Sequence, residues 1–228
     1  MKHWSLFLLF DVRRSMMKRI ILLISFAAML AFACLSVSSD VEYIGSDEDT
    51  KGDWPGVYGE NGVILFAPVD LPDLKDMTDW DDGGNQRWDW ANPTQDKRGL
   101  IYPDDDNQRA GSCMFNNPVG VVTIETDMKN YQVAVYCCDW DSSVRVEDLV
   151  GFQGDDPPGD PDVTVDNPVF NAGVYHLWEV TGSDPFKLQI THKGGANWVI
   201  GGIFVDDLGA PVDANGKLTT TWGTIKSY

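Results

Sequence analysis

The sequence predicts an all-β fold, an antiparallel β-sandwich of the jelly-roll type. Short β-prone runs recur along the chain, and Gly, Pro, Asn and Asp separate them, as is typical of antiparallel strands joined by turns. Polar and apolar side chains alternate in residues 132–136 and 187–192, which indicates strands with one buried face. No long stretch has the apolar spacing of an amphipathic helix. Many antiparallel strands at short spacing favour a sandwich or a jelly roll.

The predicted strands occupy most of the chain between residues 41 and 205. We expect them at 41–45, 62–66, 98–102, 112–115, 119–126, 132–138, 144–152, 162–169, 173–181, 186–192 and 198–205. Residues 71–92 are less regular and carry Trp80, Trp88 and Trp90 among Asp, Gly and Asn. We therefore expect long loops there, lying on the sandwich. The domain is predicted at 40–207, followed by a C-terminal extension at 208–228.

Residues 1–39 have the order of a secretory signal peptide. Lys18 and Arg19 form a short basic region, and residues 20–32 are almost wholly apolar. Ala31 and Ala33 then provide a cleavage signal of small residues. A membrane anchor is the alternative, but the apolar run is shorter than the roughly 20 residues that a span needs.

Two details of this leader stay open. We expect the true start at Met16 or Met17, because a separate small apolar patch precedes them. Cys34 directly follows the small residues, so a lipoprotein with lipid on the Cys34 thiol is the alternative to plain secretion. In either case we expect an exported protein without a membrane span, secreted or at the cell surface, in the extracellular or periplasmic space.

The composition is strongly acidic. The 228 residues include 35 Asp and Glu against 17 Lys and Arg, which gives a net charge of −18. Such a surface repels phosphate backbones, so nucleic acid is excluded as an expected partner. Disorder is the usual alternative for an acidic chain. It is excluded here by the nine tryptophans and the many Val and Ile segments.

Clustered carboxylates make calcium the candidate cofactor. Calcium binds about six to eight oxygen atoms, which short acidic loops can supply. Three segments have this composition, at 79–85, 104–107 and 155–162, and the candidate ligands are Asp81, Asp82, Asp104 and Asp106. None of the segments has the spacing of an EF-hand loop, and solvated loop charge is the alternative for each.

Three cysteines lie within the predicted domain. A disulfide from Cys113 to either Cys137 or Cys138 would suit an exported protein. Adjacent residues of a strand point to opposite faces, so only one of the pair can face Cys113 and the other is predicted to be a buried thiol. A zinc site is not expected, because the sequence has no CxxC and no nearby pair of histidines.

Four phrases of the sequence carry a resemblance to known domains. They are DTKGDWPGVYG at 49–59, YCCDWD at 136–141 with Arg145, FNAGVYHLW at 170–178 and GGANWVIGGIF at 194–204. As a set they resemble a β-sandwich domain of exported bacterial proteins, similar to galactose-binding-like and carbohydrate-binding-module domains. The resemblance covers residues 49–206 and implies a galactose-binding-like fold with a glycan as the partner. Function depends on sites rather than folds, so the glycan remains an expectation.

Aromatic residues beside polar ones are the candidate glycan-binding residues. Sugars have flat C–H faces that stack on aromatic rings, and their hydroxyls need carboxylate or amide partners. Trp88 and Trp90 lie in the irregular segment, where binding residues often occur. The other candidates sit beside Asp, Asn or Arg and are Trp54, Tyr58, Trp140, Asp139, Asp141 and Arg145. Their alternative role is structural, as aromatic packing at the core edge or as an ion pair that fixes a turn.

Catalysis is not expected. The chain has no GxSxG, HExxH, P-loop or GxGxxG motif, and His176 and His192 lie in predicted strands. The first hypothesis is therefore a secreted, non-catalytic carbohydrate-binding module. The second is a structural or adhesive extracellular domain, stabilised by calcium. The third is a glycan hydrolase, because such an enzyme needs only two carboxylates.

Overall fold

The computed structural model describes residues 40–67 and 71–209, and these form antiparallel β-sheets. The predicted all-β sandwich is confirmed. The predicted leader with Cys34 and the predicted extension after Gly209 lie outside the described residues. The strands are β1 (Asp40–Asp47), β2 (Gly62–Leu65), β3 (Leu71–Asp73), β4 (Met77–Asp81), β5 (Gln86–Ala91), β6 (Leu100–Tyr102), β7 (Asp105–Asn116), β8 (Val119–Thr126), β9 (Asn130–Cys137), β10 (Val146–Phe152), β11 (Val163–Val165), β12 (Val174–Thr181), β13 (Phe186–Gly194), β14 (Trp198–Ile200) and β15 (Gly202–Asp207).

Two sheets form the sandwich. One has six strands in the order β1-β12-β9-β15-β2-β3, and the other has five in the order β11-β10-β13-β8-β4. The main core combines apolar side chains from both sheets, such as Val133 and Val135 of β9 with Leu188 and Ile190 of β13. These side chains occupy alternate positions of their strands, and this alternation places them on one face.

The six-stranded sheet is covered on its other face as well. Ala134 and Tyr136 of β9 belong to a second cluster with Tyr175 and Phe204. The loop after β1 packs on this cluster through Trp54 and Tyr58. All residues of β9 except Gln132 are therefore buried, which explains why most of its sequence is apolar.

A third sheet consists of β14, β7 and β5, with β6 paired to the far end of β7. The prediction of loops at 71–92 is wrong, because this segment contains β3, β4 and β5. Each of these strands is paired on one side by β2, β8 or β7. Their other edges and much of their surface are exposed, so they tolerate Asp and Gln residues that a sequence pattern assigns to loops.

Smaller departures occur elsewhere. The predicted strand at 198–205 is divided at Gly201 into β14 and β15, which belong to different sheets. Strand β7 is longer than predicted and begins at Asp105, within the acidic segment assigned to a loop. The predicted strand at 162–169 is shortened to β11, and a single helical turn, α1 (Val169–Ala172), follows it. Among the described residues, helices of the length and apolar character that a membrane crossing requires do not occur.

Candidate functional site

A cleft of about 260 Å³ lies on the third sheet. Its walls come from β5, β7 and β14 and from two loops, one joining β9 to β10 and one joining β13 to β14. The lining residues are Trp88, Trp90, Cys113, Phe115, Asp141, Arg145, Asn197 and Val199. Pockets for small molecules measure roughly 300–1,000 Å³. At about 260 Å³ the cleft lies just below this range, so it has room for only a short part of a polymer.

Strand β5 contributes two tryptophans to the cleft. Trp88 and Trp90 occupy alternate positions, which share one face of a strand. Trp88 lies opposite Cys113 of β7 and is 55% exposed, whereas Trp90 is partly buried and packs against the main core. The exposed indole of Trp88 is therefore the part of the cleft most accessible to a partner.

Trp90 is held in place by a second indole. Its ring lies nearly parallel to that of Trp140, with 9° between the planes and 6.4 Å between the centroids. The guanidinium of Arg98 also packs on Trp140, at 4.6 Å from the centroid of its ring. Gly111 of β7 allows this arrangement, since a Cβ there would lie 2.7 Å from the Trp140 ring. Trp140 thus supports the cleft from behind rather than lining it.

The loop between β9 and β10 is organised by Asp139. This residue is fully buried, and its carboxylate accepts hydrogen bonds from the Ser142 hydroxyl and from the Arg145 backbone N–H. It also forms an ion pair with the Arg145 guanidinium. Asn171 of α1 fixes the same loop by donating to the carbonyls of Asp139 and Ser142, at 2.9 and 2.8 Å. The loop is consequently a rigid support for Arg145.

Arg145 connects this loop to the other wall of the cleft. Its Nη1 donates to Asp141 Oδ1 at 2.6 Å, and its Nε donates to Asn197 Oδ1 at 2.9 Å. The Arg145 guanidinium also lies 5.7 Å from the centroid of the Trp90 ring. One side chain therefore fixes the positions of an aromatic ring, a carboxylate and an amide.

Donors and an acceptor are left over for a ligand. Because Nε–H can only donate, Asn197 must present its oxygen to Arg145 and turn its NH₂ group away. In the described part of the chain, neither that Nδ2 nor the Nη2 of Arg145 has a hydrogen-bond partner, and neither is sealed from solvent. The side chain of Asp141 is 48% exposed, so its carboxylate is accessible to a ligand.

The carboxylate of Asp141 is ionised near neutral pH. Burial alone would raise the pKa of Asp141, but the hydrogen bond and positive charge of Arg145, aided by the Trp90 indole, outweigh burial and lower it. Asp141 therefore serves the cleft as a hydrogen-bond acceptor.

A buried carboxyl group lies beneath the floor of the cleft. Glu147 of β10 has no exposed surface, and its Oε2 accepts the Val199 backbone N–H at 2.8 Å. Among the described residues its Oε1 has no hydrogen-bond partner. Burial raises the pKa of Glu147 to about 8, although the Val199 N–H, the Cys137 thiol and Arg145 oppose this rise. Glu147 is accordingly protonated at neutral pH.

The structure brings together part of the predicted site. Trp88, Trp90, Asp141 and Arg145 line one cleft, and Trp140 and Asp139 support it. Trp54 and Tyr58, the remaining candidates, are placed elsewhere.

Trp54 and Tyr58 are structural, which corrects their assignment as ligand-binding residues. Both belong to the loop that covers the six-stranded sheet, and their buried rings point from this loop towards the sheet and pack on Phe204. The Trp54 indole N–H donates to the Ile101 carbonyl at 2.8 Å, and the Tyr58 hydroxyl donates to Asp47 at 2.8 Å. Neither ring has a free face for a sugar.

The proposed calcium ligands do not converge. Within residues 40–67 and 71–209, no group of three or more His, Cys, Asp or Glu side chains is arranged to hold a metal ion. Asp82 forms an ion pair with Arg87 at 2.9 Å, and Asp81 accepts the Gly83 backbone N–H at 2.9 Å. Asp104 and Asp106 are exposed beside the start of β7.

The predicted disulfide is not formed, because Cys113, Cys137 and Cys138 are all free and buried. Cys137 and Cys138 do point to opposite faces, since they belong to different apolar clusters. The Cys137 thiol lies beside the Glu147 carboxyl group, and the Cys138 thiol faces the Asn171 carbonyl. Each of the adjacent thiols thus has a polar neighbour other than Cys113.

Several residues of the cleft were not predicted from the sequence. Asn197 lies in the GGANW phrase, but its contact with Arg145 joins residues far apart in the chain. Cys113 and Val199 look like ordinary core residues, and Phe115 like an ordinary strand residue. The sequence signal for Asn197 as a binding residue was its position in a Gly-rich turn, and such a position is weak evidence for binding.

The chain matches no family model and no curated protein. Two solved structures resemble it. A crystal structure of an exo-β-1,3-galactanase from Phanerochaete chrysosporium with galactose aligns with 59% of this chain at 16% identity and a TM-score of 0.30. The chain spans 30% of that galactanase. TmCBM27, a carbohydrate-binding module that recognises mannan, aligns with 74% of this chain and 95% of its own at 11% identity and a TM-score of 0.22. Because both TM-scores are low, we assign the fold from the arrangement of this chain's own sheets and not from these two structures.

Proposed function

We propose that this chain is an exported, non-catalytic carbohydrate-binding module whose glycan lies in the Trp88–Trp90 cleft. The observation that carries the proposal is the position of the exposed Trp88 ring, in one cleft with Trp90, Asp141 and Arg145. An indole left 55% exposed on a rigid strand keeps a large apolar face in water, and covering that face with a ligand is favourable.

The polar groups of the cleft suit hydroxyl groups. A sugar hydroxyl both donates and accepts, and the cleft offers an acceptor on Asp141 and free donors on Asn197 and Arg145. All three side chains are positioned by hydrogen bonds among themselves, so little entropy is lost when they bind a ligand. Aromatic faces with a few fixed polar groups are the usual composition of a small-molecule site.

A binding role accounts for the cleft better than hydrolysis does. Glycoside hydrolysis uses two carboxyl groups on opposite sides of the scissile bond. The lining of the cleft includes one carboxylate, Asp141, while Asp139 is buried behind Arg145 and paired with it. A second depression, of about 510 Å³, has three carboxylates in its lining, Asp76, Asp127 and Asp207, but no aromatic ring for a sugar to stack on.

The test is a glycan array probed with the purified protein, its Trp88→Ala variant and a control. We expect binding to one class of glycan, with at least tenfold weaker binding for Trp88→Ala. Val57→Ala is the matched control, because Val57 is exposed to a similar degree, at 53%, and does not line the cleft. Absence of binding by folded protein would refute the module and favour the structural or adhesive domain.

Calcium and export are part of the same proposal. The array is run with calcium and with a chelator, and binding or stability lost only with the chelator would identify calcium as a cofactor. For export, the mass of the protein recovered outside the cytoplasm should correspond to a chain that begins at Cys34, after the Ala33 cleavage site. A further acyl mass on Cys34 would identify a lipoprotein, and an uncleaved leader would favour the membrane anchor. Protein found only in the cytoplasm would contradict export.

A further inference from the structure

We propose that the cleft selects uncharged glycans and rejects glycans that carry carboxylate or sulfate groups. This inference specifies the ligand class of the proposed module and rests on that function. Three observations support it. They are the charges in and behind the cleft, the identity of the hydrogen-bond donors that remain unused, and the net charge of the whole chain.

The positive charge in the cleft is already balanced by neighbouring carboxylates. Arg145 is the one cationic residue among those that line it. Its guanidinium is shared between two carboxylates, the buried Asp139 and the half-exposed Asp141. The three side chains together carry a net negative charge, and an anionic ligand beside Trp90 would meet Asp141 directly. Charges in a partly buried site are only weakly screened by solvent, so this repulsion is substantial.

The unused donors cannot form the contact that anions favour. Arginine binds a carboxylate or sulfate strongly through two parallel N–H groups of its planar fork. In Arg145, Nε is occupied by Asn197, and Nη1 is occupied by Asp139 and Asp141. Only Nη2 is free, and its two N–H groups diverge, so they do not supply the parallel pair from two nitrogens, while Asp139 and Asp141 already offset the charge of the guanidinium. A neutral hydroxyl needs only one N–H group and can return a hydrogen bond to Asp141.

Long-range electrostatics act in the same direction. The chain carries a net charge of −18, so an acidic polysaccharide is repelled before it reaches the cleft. An uncharged polysaccharide meets no such barrier. Both effects are electrostatic, and both should weaken as ionic strength rises.

The experiment compares each glycan with an oxidised copy of itself. Galactan, mannan and glucan are used as such and after selective oxidation of their primary hydroxyls to carboxylates, which leaves linkage and ring stereochemistry unchanged. Binding to the full protein is measured at low and high salt by titration calorimetry. We expect the oxidised form of a bound glycan to bind at least tenfold more weakly at low salt, with a smaller difference at high salt.

Two variants separate charge from shape. Asp141→Asn keeps an acceptor oxygen but removes the negative charge, so it should reduce the discrimination against the oxidised glycan severalfold. Asp156→Asn removes the same charge at an exposed position that does not line the cleft, and it should leave the discrimination within about twofold of the unmodified protein.

The outcomes distinguish the inference from the function on which it rests. Equal or tighter binding of the oxidised glycans would overturn the inference and leave the module intact. A difference that neither salt nor Asp141→Asn alters would also overturn it, since the rejection would then be steric. Folded protein that binds no uncharged glycan would refute the proposed function itself.

Discussion

The indole rings of Trp90 and Trp140 are stacked with 9° between their planes, so a residue of the cleft and a residue of the supporting loop form one unit. Arg145 lies against the Trp90 end of this pair and Arg98 against the Trp140 end. Aromatic and cation–π pairs each contribute about 1 kcal/mol. The stack therefore fixes the cleft without any contact from the ligand.

The close approach of Trp140 to Gly111 makes the stack sensitive to one methyl group. Gly111→Ala places a Cβ 2.7 Å from the Trp140 ring, so the ring has to move and Trp90 with it. We expect a loss of about 1–3 kcal/mol in the free energy of unfolding, as for other overpacked sites, together with weaker glycan binding. Urea unfolding and calorimetry measure the two effects.

A matched glycine provides the control for that substitution. A Cβ on Gly159 would contact nothing, so Gly159→Ala should change the free energy of unfolding by no more than about 0.5 kcal/mol and leave binding unchanged. Equal effects of the two substitutions would contradict a specific role for the Gly111–Trp140 contact.

The buried ion pair between Asp139 and Arg145 should contribute to stability far more than its exposed counterpart. Asp139→Asn leaves a buried guanidinium with only Asp141 as a charged partner, and we expect a loss of about 3 kcal/mol. Asp141→Asn is the control, because its 48% exposed side chain should cost no more than about 1 kcal/mol. Similar midpoints of urea unfolding for the two variants would contradict this assignment.

Glu147 should make the protein less stable as pH rises. Its pKa is about 8 in the folded protein against 4.5 for the free side chain, so between these values the folded state holds a proton that the unfolded chain has released. Stability due to this proton is fully present below pH 4.5 and is lost by about pH 8. Since one pKa unit corresponds to about 1.4 kcal/mol, the loss amounts to a few kcal/mol.

Glu147→Gln tests this prediction because the amide does not ionise. The variant should lose the decline in urea midpoint between pH 4.5 and about 8 and be the more stable protein at the alkaline end. His176 acts in the opposite direction. Burial lowers the pKa of His176 from 6.5 to about 4, so its contribution is lost as pH falls through that interval. A decline on the alkaline side that persists in Glu147→Gln would contradict the role of Glu147.

The three cysteines of the domain should be unreactive in the folded protein. Burial raises the pKa of Cys113 and Cys137 well above the usual thiol value, and that of Cys138 to about 12. Thiolate is the reactive form, so we expect alkylation of these residues only after denaturation. Peptide mapping by mass spectrometry measures this directly, and a disulfide-linked peptide containing Cys113 would contradict the free thiols.

The sequence predicted those strands whose pattern reflects burial on one or both faces. Strand β13 alternates, and β9 is nearly continuous in apolar residues, so both are readily identified. Strand β5 was not predicted because Gln86, Arg87 and Asp89 interrupt its apolar pattern, and its pairing with β7 defines it as a strand. Pairing between distant segments leaves little trace in local composition.

The candidate site was predictable to a similar extent. Trp88, Trp90, Asp141 and Arg145 were proposed together as binding residues, and they line the same cleft. Trp54 has a similar local context of Asp, Gly and Pro, yet it is buried. A turn-rich neighbourhood does not determine whether a ring faces the sheet or the solvent. That outcome depends on the apolar face of Phe204, which is remote in sequence.

The parallel arrangement of Trp90 and Trp140 also has an optical consequence. The electronic transitions of two nearby, fixed chromophores couple, and their circular dichroism contains a paired positive and negative band that depends on the angle and distance between them. A ligand that contacts Trp90 and shifts its ring would change the angle or distance between the two indoles, and hence the signal, while Arg98 holds Trp140 in place. The protein thus contains its own spectroscopic reporter of occupancy, which requires no label and is independent of the identity of the ligand.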